Sequence, residues 1–105
     1  MDVNKFISLL GFCARSGNIV YGAQGCMIGI KKRQIKLLII DSDASANTQS
    51  EFKNKCLHNN IKCVIWQGEP LSYRTAKPQN KLFGIKSKDF ADKLTEYLKN
   101  DTPGV

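Results

Sequence analysis

The chain has 105 residues, with 16 Lys and Arg against 9 Asp and Glu and a formal net charge of +7. That length is expected to hold one core rather than two, and a hydrophobic fraction of 42% speaks against a disordered tail. No apolar run approaches the roughly 20 residues that cross a bilayer, and the Met1-Asp2 start lacks the basic-then-apolar order of a secretion signal. The expectation is a cytoplasmic protein with no membrane contact.

Taken in chain order, Asp2 is placed to cap a first helix in which Phe6, Leu9, Leu10 and Cys13 recur at helical spacing, with Gly17 as its stop. "NIVYG" reads as a short strand ending at Gly22. From Gly22 to about Arg33, Ala23, Cys26, Met27 and Ile30 form one helical stripe, which predicts a second helix despite Gly25 and Gly29. "KLLII", Lys36 to Ile40, is a continuous apolar run, the pattern of a strand covered on both faces.

A third helix is predicted from about Ser45 to Asn59, and "CVIW", Cys63 to Trp66, as another two-sided strand before the turn "QGEP". A short helix from Leu71 to about Lys77 is closed by Pro78, and "KLFGI" supplies a fourth strand. Ser87 caps a last helix whose Phe90, Ala91, Leu94, Tyr97 and Leu98 make a core face. Residues 1–100 then form one domain, and residues 101–105 a flexible tail. Helices alternating with strands define an α/β layered domain with helices on both faces of a small sheet. Ligands in such folds favour the carboxyl ends of strands, here Gly22 to Gly25, Asp41 to Ser45 and Trp66 to Pro70.

Charge is unevenly placed. No acid falls between Val3 and Ile40, whereas Lys5, Arg15, Lys31, Lys32, Arg33 and Lys36 all do. A one-signed half attracts polyanions over a Debye length of about 8 Å, and nucleic acid is the commonest of these. Cys13, Cys26, Cys56 and Cys63 contain no C-x-x-C pair and have only His58 to assist them. That is a poor zinc set. The expectation is four reduced thiols on apolar faces, with neither metal nor cofactor.

Catalytic signatures are equally thin. No G-x-S-x-G elbow is present, and "GAQGCMIG" lacks the G-K-[ST] of a P-loop. Asp41 and Asp43, at a strand end, read either as caps or as the Mg²⁺ pair of a small hydrolase. What remains is a helix start, "YGAQG", whose amide groups can meet phosphate or base edges and whose Gln24 offers both a donor and an acceptor. Trp66 beside it offers a stacking surface.

The segments "ARSGNIVYG", "IKLLIIDSDASANTQSEFKNKC", "IKCVIWQ" and "FADKLTEYL" resemble the ribosomal protein L-seven-Ae/L-thirty-e family, in its bacterial branch, over almost the whole chain. The resemblance implies a three-layer α-β-α sandwich with a small mixed four-stranded sheet. It also implies binding of kink-turn RNA through the second helix and two neighbouring loops. The family's Gly-x-Asn-Glu-x-x-Lys signature falls on Gly22 to Ile28. Gly22 stands, Gln24 replaces the asparagine, Gly25 lacks the carboxylate and Ile28 replaces the lysine.

On this resemblance the RNA-contacting set is Gly22, Ala23, Gln24, Gly25, Ile28, Lys31, Lys32 and Arg33, with Asp43 and Ser45 on the second loop. Trp66, Gln67 and Gly68 complete it on the third. The function expected is that of a non-catalytic, monomeric RNA-binding protein associated with the ribosome, another ribonucleoprotein or translation proteins. An interaction adaptor on the same fold is the alternative, favoured by Gly25 and Ile28.

Overall fold

The computed structural model describes residues 2–74 and 80–99. The first helix, α1 (Val3–Arg15), starts where the Asp2 carboxylate accepts from the Lys5 amide at 3.2 Å, and it buries Phe6, Leu10 and Cys13. It is followed by β1 (Ile19–Tyr21), α2 (Gly22–Lys31), β2 (Leu37–Ile40) and α3 (Ala46–His58). The Ser45 hydroxyl caps α3 by accepting from Thr48 N at 3.1 Å. The chain ends in β3 (Lys62–Ile65), a 3₁₀ turn (Leu71–Tyr73), β4 (Leu82–Ile85) and α4 (Lys88–Lys99), with Ser87 accepting from Phe90 N.

The strands form one sheet in the order β1-β4-β2-β3, with β2 and β3 parallel and β4 antiparallel to both its neighbours. Since successive strand residues face opposite ways, β2 serves two cores. Leu37 and Ile39 meet Phe6, Leu10 and Leu94 of the α1/α4 layer. Leu38 and Ile40 meet Cys26, Ile30 and Phe52 of the α2/α3 layer. Each such side chain contributes about 1.5–3 kcal/mol on burial, which is why this run carries no polar residue. The α-β-α sandwich with a mixed four-stranded sheet is therefore as expected.

Close approach of α2 to β4 depends on absent side chains. A Cβ on Gly29 would lie 2.8 Å from Ile35 Cδ1, and one on Gly84 would lie 2.6 Å from the same atom. Ile35 fills the space that both glycines vacate.

Several details differ from the expected pattern. Ala23 is exposed, and Gly29 takes its place in the buried stripe of α2, where it packs against Ile35. The third strand begins at Lys62 and ends at Ile65, one residue earlier than predicted, and it is only half-buried because it forms a sheet edge. The predicted helix from Leu71 is a single 3₁₀ turn, Leu71–Tyr73, capped by Arg74; its extension to Lys77 and Pro78 lies outside the described residues, as does the tail 101–105. Cys13, Cys26 and Cys56 are buried, but Cys63 is half-buried on the edge strand. The Cys56 thiol hydrogen-bonds to Cys63, which raises Cys56 and lowers Cys63 relative to an ordinary thiol.

Candidate nucleic-acid interface

Because β1, β2 and β3 all run the same way, their carboxyl ends share one end of the sheet. Three segments emerge there: the start of α2, the Asp41–Ser45 loop and the Trp66–Pro70 loop. Gly22 opens α2 with φ +82°, a backbone region that favours glycine, and a Cβ there would lie 3.2 Å from Asn80 Oδ1. The residue preceding α2, Tyr21, makes no side-chain capping bond, and the first turn holds no acid. α2 thus presents its first amides without the side-chain cap that α1 and α3 possess. Ala23 and Gln24 are exposed beside them, and Ile28, one turn further, is 47% exposed.

Gly25 has a packing role. A Cβ at this position would lie 2.7 Å from Val20 Cγ1, a stiff β-branched atom with little room to yield. The position that carries a carboxylate in the family signature is closed here by β1.

The two loops are tied together beneath their tips. Asp41 is fully buried; its Oδ1 accepts from Ser42 N at 2.8 Å and Leu71 N at 2.6 Å, and its Oδ2 accepts from Ser72 N at 2.8 Å. The Ser42 hydroxyl donates to the Gly68 carbonyl at 2.8 Å. Asp43, at the tip, lies 2.7 Å from Lys81 Nζ, which also donates to Ser72 Oγ at 3.3 Å. The hydrogen bond to Asp43 holds the Lys81 ammonium above its ordinary value. With both Asp41 oxygens accepting from main-chain amides and Asp43 paired to a lysine, the acidic pair acts as a loop clamp, which removes the geometric basis of the hydrolase reading.

Trp66 is a correction. It is 5% exposed, with its ring stacked on Phe6 at 4.8 Å and its indole N–H donating to the Glu69 carbonyl at 2.9 Å. Burial removes the ring from any stacking surface, because it packs into the α1/α4 core with Phe6 and Leu71. Its neighbours Gln67 and Gly68 are exposed, and Gly68 has φ +99°.

The structure therefore gathers Gly22, Ala23, Gln24 and Gly25 with Asp43, Ser45, Gln67 and Gly68 at one end. It does not bring Lys31, Lys32 and Arg33 there. Ten helical residues at about 1.5 Å each put them some 15 Å away, at the far end of α2. Lys32 shares the exposed side with Gln24 and Ile28, so a ligand lying lengthwise along α2 meets all three. Sequence reasoning missed Asn80 and Lys81, which complete the loop end from the start of β4. Their only signal was position before a strand.

This arrangement of helices, sheet and loops is a three-layer α-β-α sandwich shared with solved structures. A protein of unknown function from Bacillus halodurans C superposes with a TM-score of 0.83 at 26% identity, over 90% of this chain and 97% of that one. The Giardia lamblia 15.5kD RNA binding protein superposes with a TM-score of 0.65 at 16% identity, over 90% and 81% respectively, which is a likeness of fold. In sequence, the chain is 27% identical over 96 residues to the RNA-binding protein YlxQ of Enterococcus faecium, covering 90% of this chain and 92% of that one. No family model matches the chain.

Proposed function

We propose that this protein is a non-catalytic, cytoplasmic RNA-binding protein that docks a bent, kink-turn-like RNA against the loop end of its sheet. The observation that carries this reading is the uncapped start of α2, flanked by two loops that Asp41 and Ser42 tie together. Such a start accepts an anionic or carbonyl oxygen from outside the chain. The sequence likeness to a protein named for RNA binding supports the same reading. Gly22, Ala23 and Gly25 set how closely the backbone approaches, Gln24 reads a base edge, and Asp43, Ser45, Gln67 and Gly68 border the contact. Lys32 adds a phosphate contact along α2. The RNA is ribosomal or part of another ribonucleoprotein, and the protein acts as a monomer.

The exposed Ile28 favours a second reading, a protein-interaction adaptor. Titration of a labelled kink-turn RNA and a straight duplex separates the two. RNA binding predicts tighter association with the kink-turn, and Gln24→Ala is expected to weaken that preference about tenfold. Absence of binding to either RNA at low salt contradicts the proposal in favour of the adaptor.

A further inference from the structure

The opposite end of the sheet has a different character. α1, α2 and α3 all stop there, and all stop in the same way. Gly17 N donates to Ala14 O and Asn18 N to Cys13 O; Arg33 N donates to Ile30 O and Gln34 N to Gly29 O; Asn60 N donates to Leu57 O and Ile61 N to Cys56 O. In this helix terminator the residue after the cap takes a left-handed conformation and is usually glycine. α1 uses Gly17 at φ +77°, but α2 uses Arg33 at φ +58° and α3 uses Asn60 at φ +55°.

Arg33 and Asn60 line one concavity together with Lys36 and Asn59. The strand register sets Lys86 beside them, since Lys36 N donates to Ile85 O at 2.7 Å. Arg33, Lys36 and Lys86 are exposed. Among the described residues, none of their side chains is in an ion pair or hydrogen bond, whereas Arg74 and Lys81 at the loop end are paired with Glu69 and Asp43. A cluster of uncommitted charge therefore lies at the base of the sheet, beside the exposed amides of Asn60 and of Asn59, whose Nδ2 also donates to the Lys55 carbonyl at 2.8 Å.

We infer that this basal surface is a second RNA-backbone site, distinct from the loop end, so that one molecule holds two RNA segments. Arg33, Lys36 and Lys86 contact phosphates, and Asn59 and Asn60 face the sugar-phosphate edge. An arginine at a left-handed position, where glycine is less strained, fits a residue kept for its charge. The inference rests on the RNA-binding reading but uses none of the residues at the loop end.

The test is a capture assay, in which immobilised kink-turn RNA is loaded with protein and then offered a labelled straight RNA duplex. The wild type is expected to capture the duplex. The variant Arg33→Gly/Lys36→Gln/Lys86→Gln is expected to keep kink-turn affinity within about twofold and to lose capture. Its direct duplex binding is expected to show a log–log salt slope smaller by about 2 to 3 units. Arg33→Gly alone is expected to leave thermal stability equal or higher, which separates lost charge from lost fold.

Kink-turn binding without capture, or equal capture by wild type and variant, overturns the inference and leaves the loop-end reading intact. Duplex binding that depends on the basal cations, with no kink-turn binding, overturns the loop-end reading and supports the basal site. Binding of neither RNA overturns both. Poly-glutamate competing as well as duplex at equal charge overturns it in favour of an acidic protein partner.

Discussion

Asp41 lies directly beneath Ser72, its Oδ2 accepting from the Ser72 amide at 2.8 Å although the two residues are 31 apart in sequence. Its other oxygen accepts from Leu71 and Ser42. One buried carboxylate thus sets the relative height of the two loops that flank the start of α2. Asp41→Asn keeps one acceptor oxygen but turns an NH₂ toward a main-chain amide. Hydrogen bonds to a charged group are worth about 1.5–3 kcal/mol each. The variant is expected to lose about 2–4 kcal/mol in urea denaturation and to show faster amide exchange at Leu71 and Ser72. A loss below about 0.5 kcal/mol would mean that the clamp does not organise the loops.

Val20 closes the position of Gly25, so adding a side chain there is costly. Gly25→Ala is expected to destabilise by about 1–3 kcal/mol through overpacking. Val20→Ala in the same chain is expected to recover part of that loss, since the clash is with Val20 Cγ1. Denaturant midpoints of the two single variants and the double variant check this. Strict additivity would show that the two residues do not meet.

Burial pushes the Cys26 thiol from 9.0 up to about 12 and Cys13 up to about 11. The sign follows from proton counting. Below pH 9 both thiols are protonated whether the chain is folded or unfolded, so their contribution to stability is complete. Above pH 9 the unfolded chain releases protons that the folded chain retains. Stability then falls until the folded thiols themselves titrate, by up to about 1.4 kcal/mol per pH unit for each thiol. Urea denaturation in reductant from pH 8.5 to 10.5 is expected to show a shallower decline for Cys26→Ala than for wild type. Parallel declines would remove Cys26 as a source of the alkaline loss.

The frame of this fold was legible wherever a local period carried it. The Phe6, Leu10 and Cys13 spacing, the unbroken "LLII" run and the Ser45 cap each depend on residues within two turns of one another. Relationships across the fold were not legible. An aromatic beside a glycine-containing loop reads as a surface platform, and only the position of Phe6 shows that Trp66 faces inward. Two acids at a strand end read as a metal pair until the amides of Leu71 and Ser72 are found against one of them. The cations were visible as a run from Lys31 to Lys36, but their distance from the loop tips, and the arrival of Lys86 beside Lys36, depend on strand order.

Docking of RNA at the loop end is tested most directly by amide-shift mapping of the ¹⁵N-labelled chain, first with a kink-turn RNA and then with a straight duplex of equal length. The account predicts that the kink-turn RNA moves the amides of Gly22 to Gly25, Asp43 to Ser45, and Gln67 and Gly68, and that the duplex leaves them in place. Shifts in those amides that are the same for both RNAs, or an unmoved loop end at low salt, would contradict it.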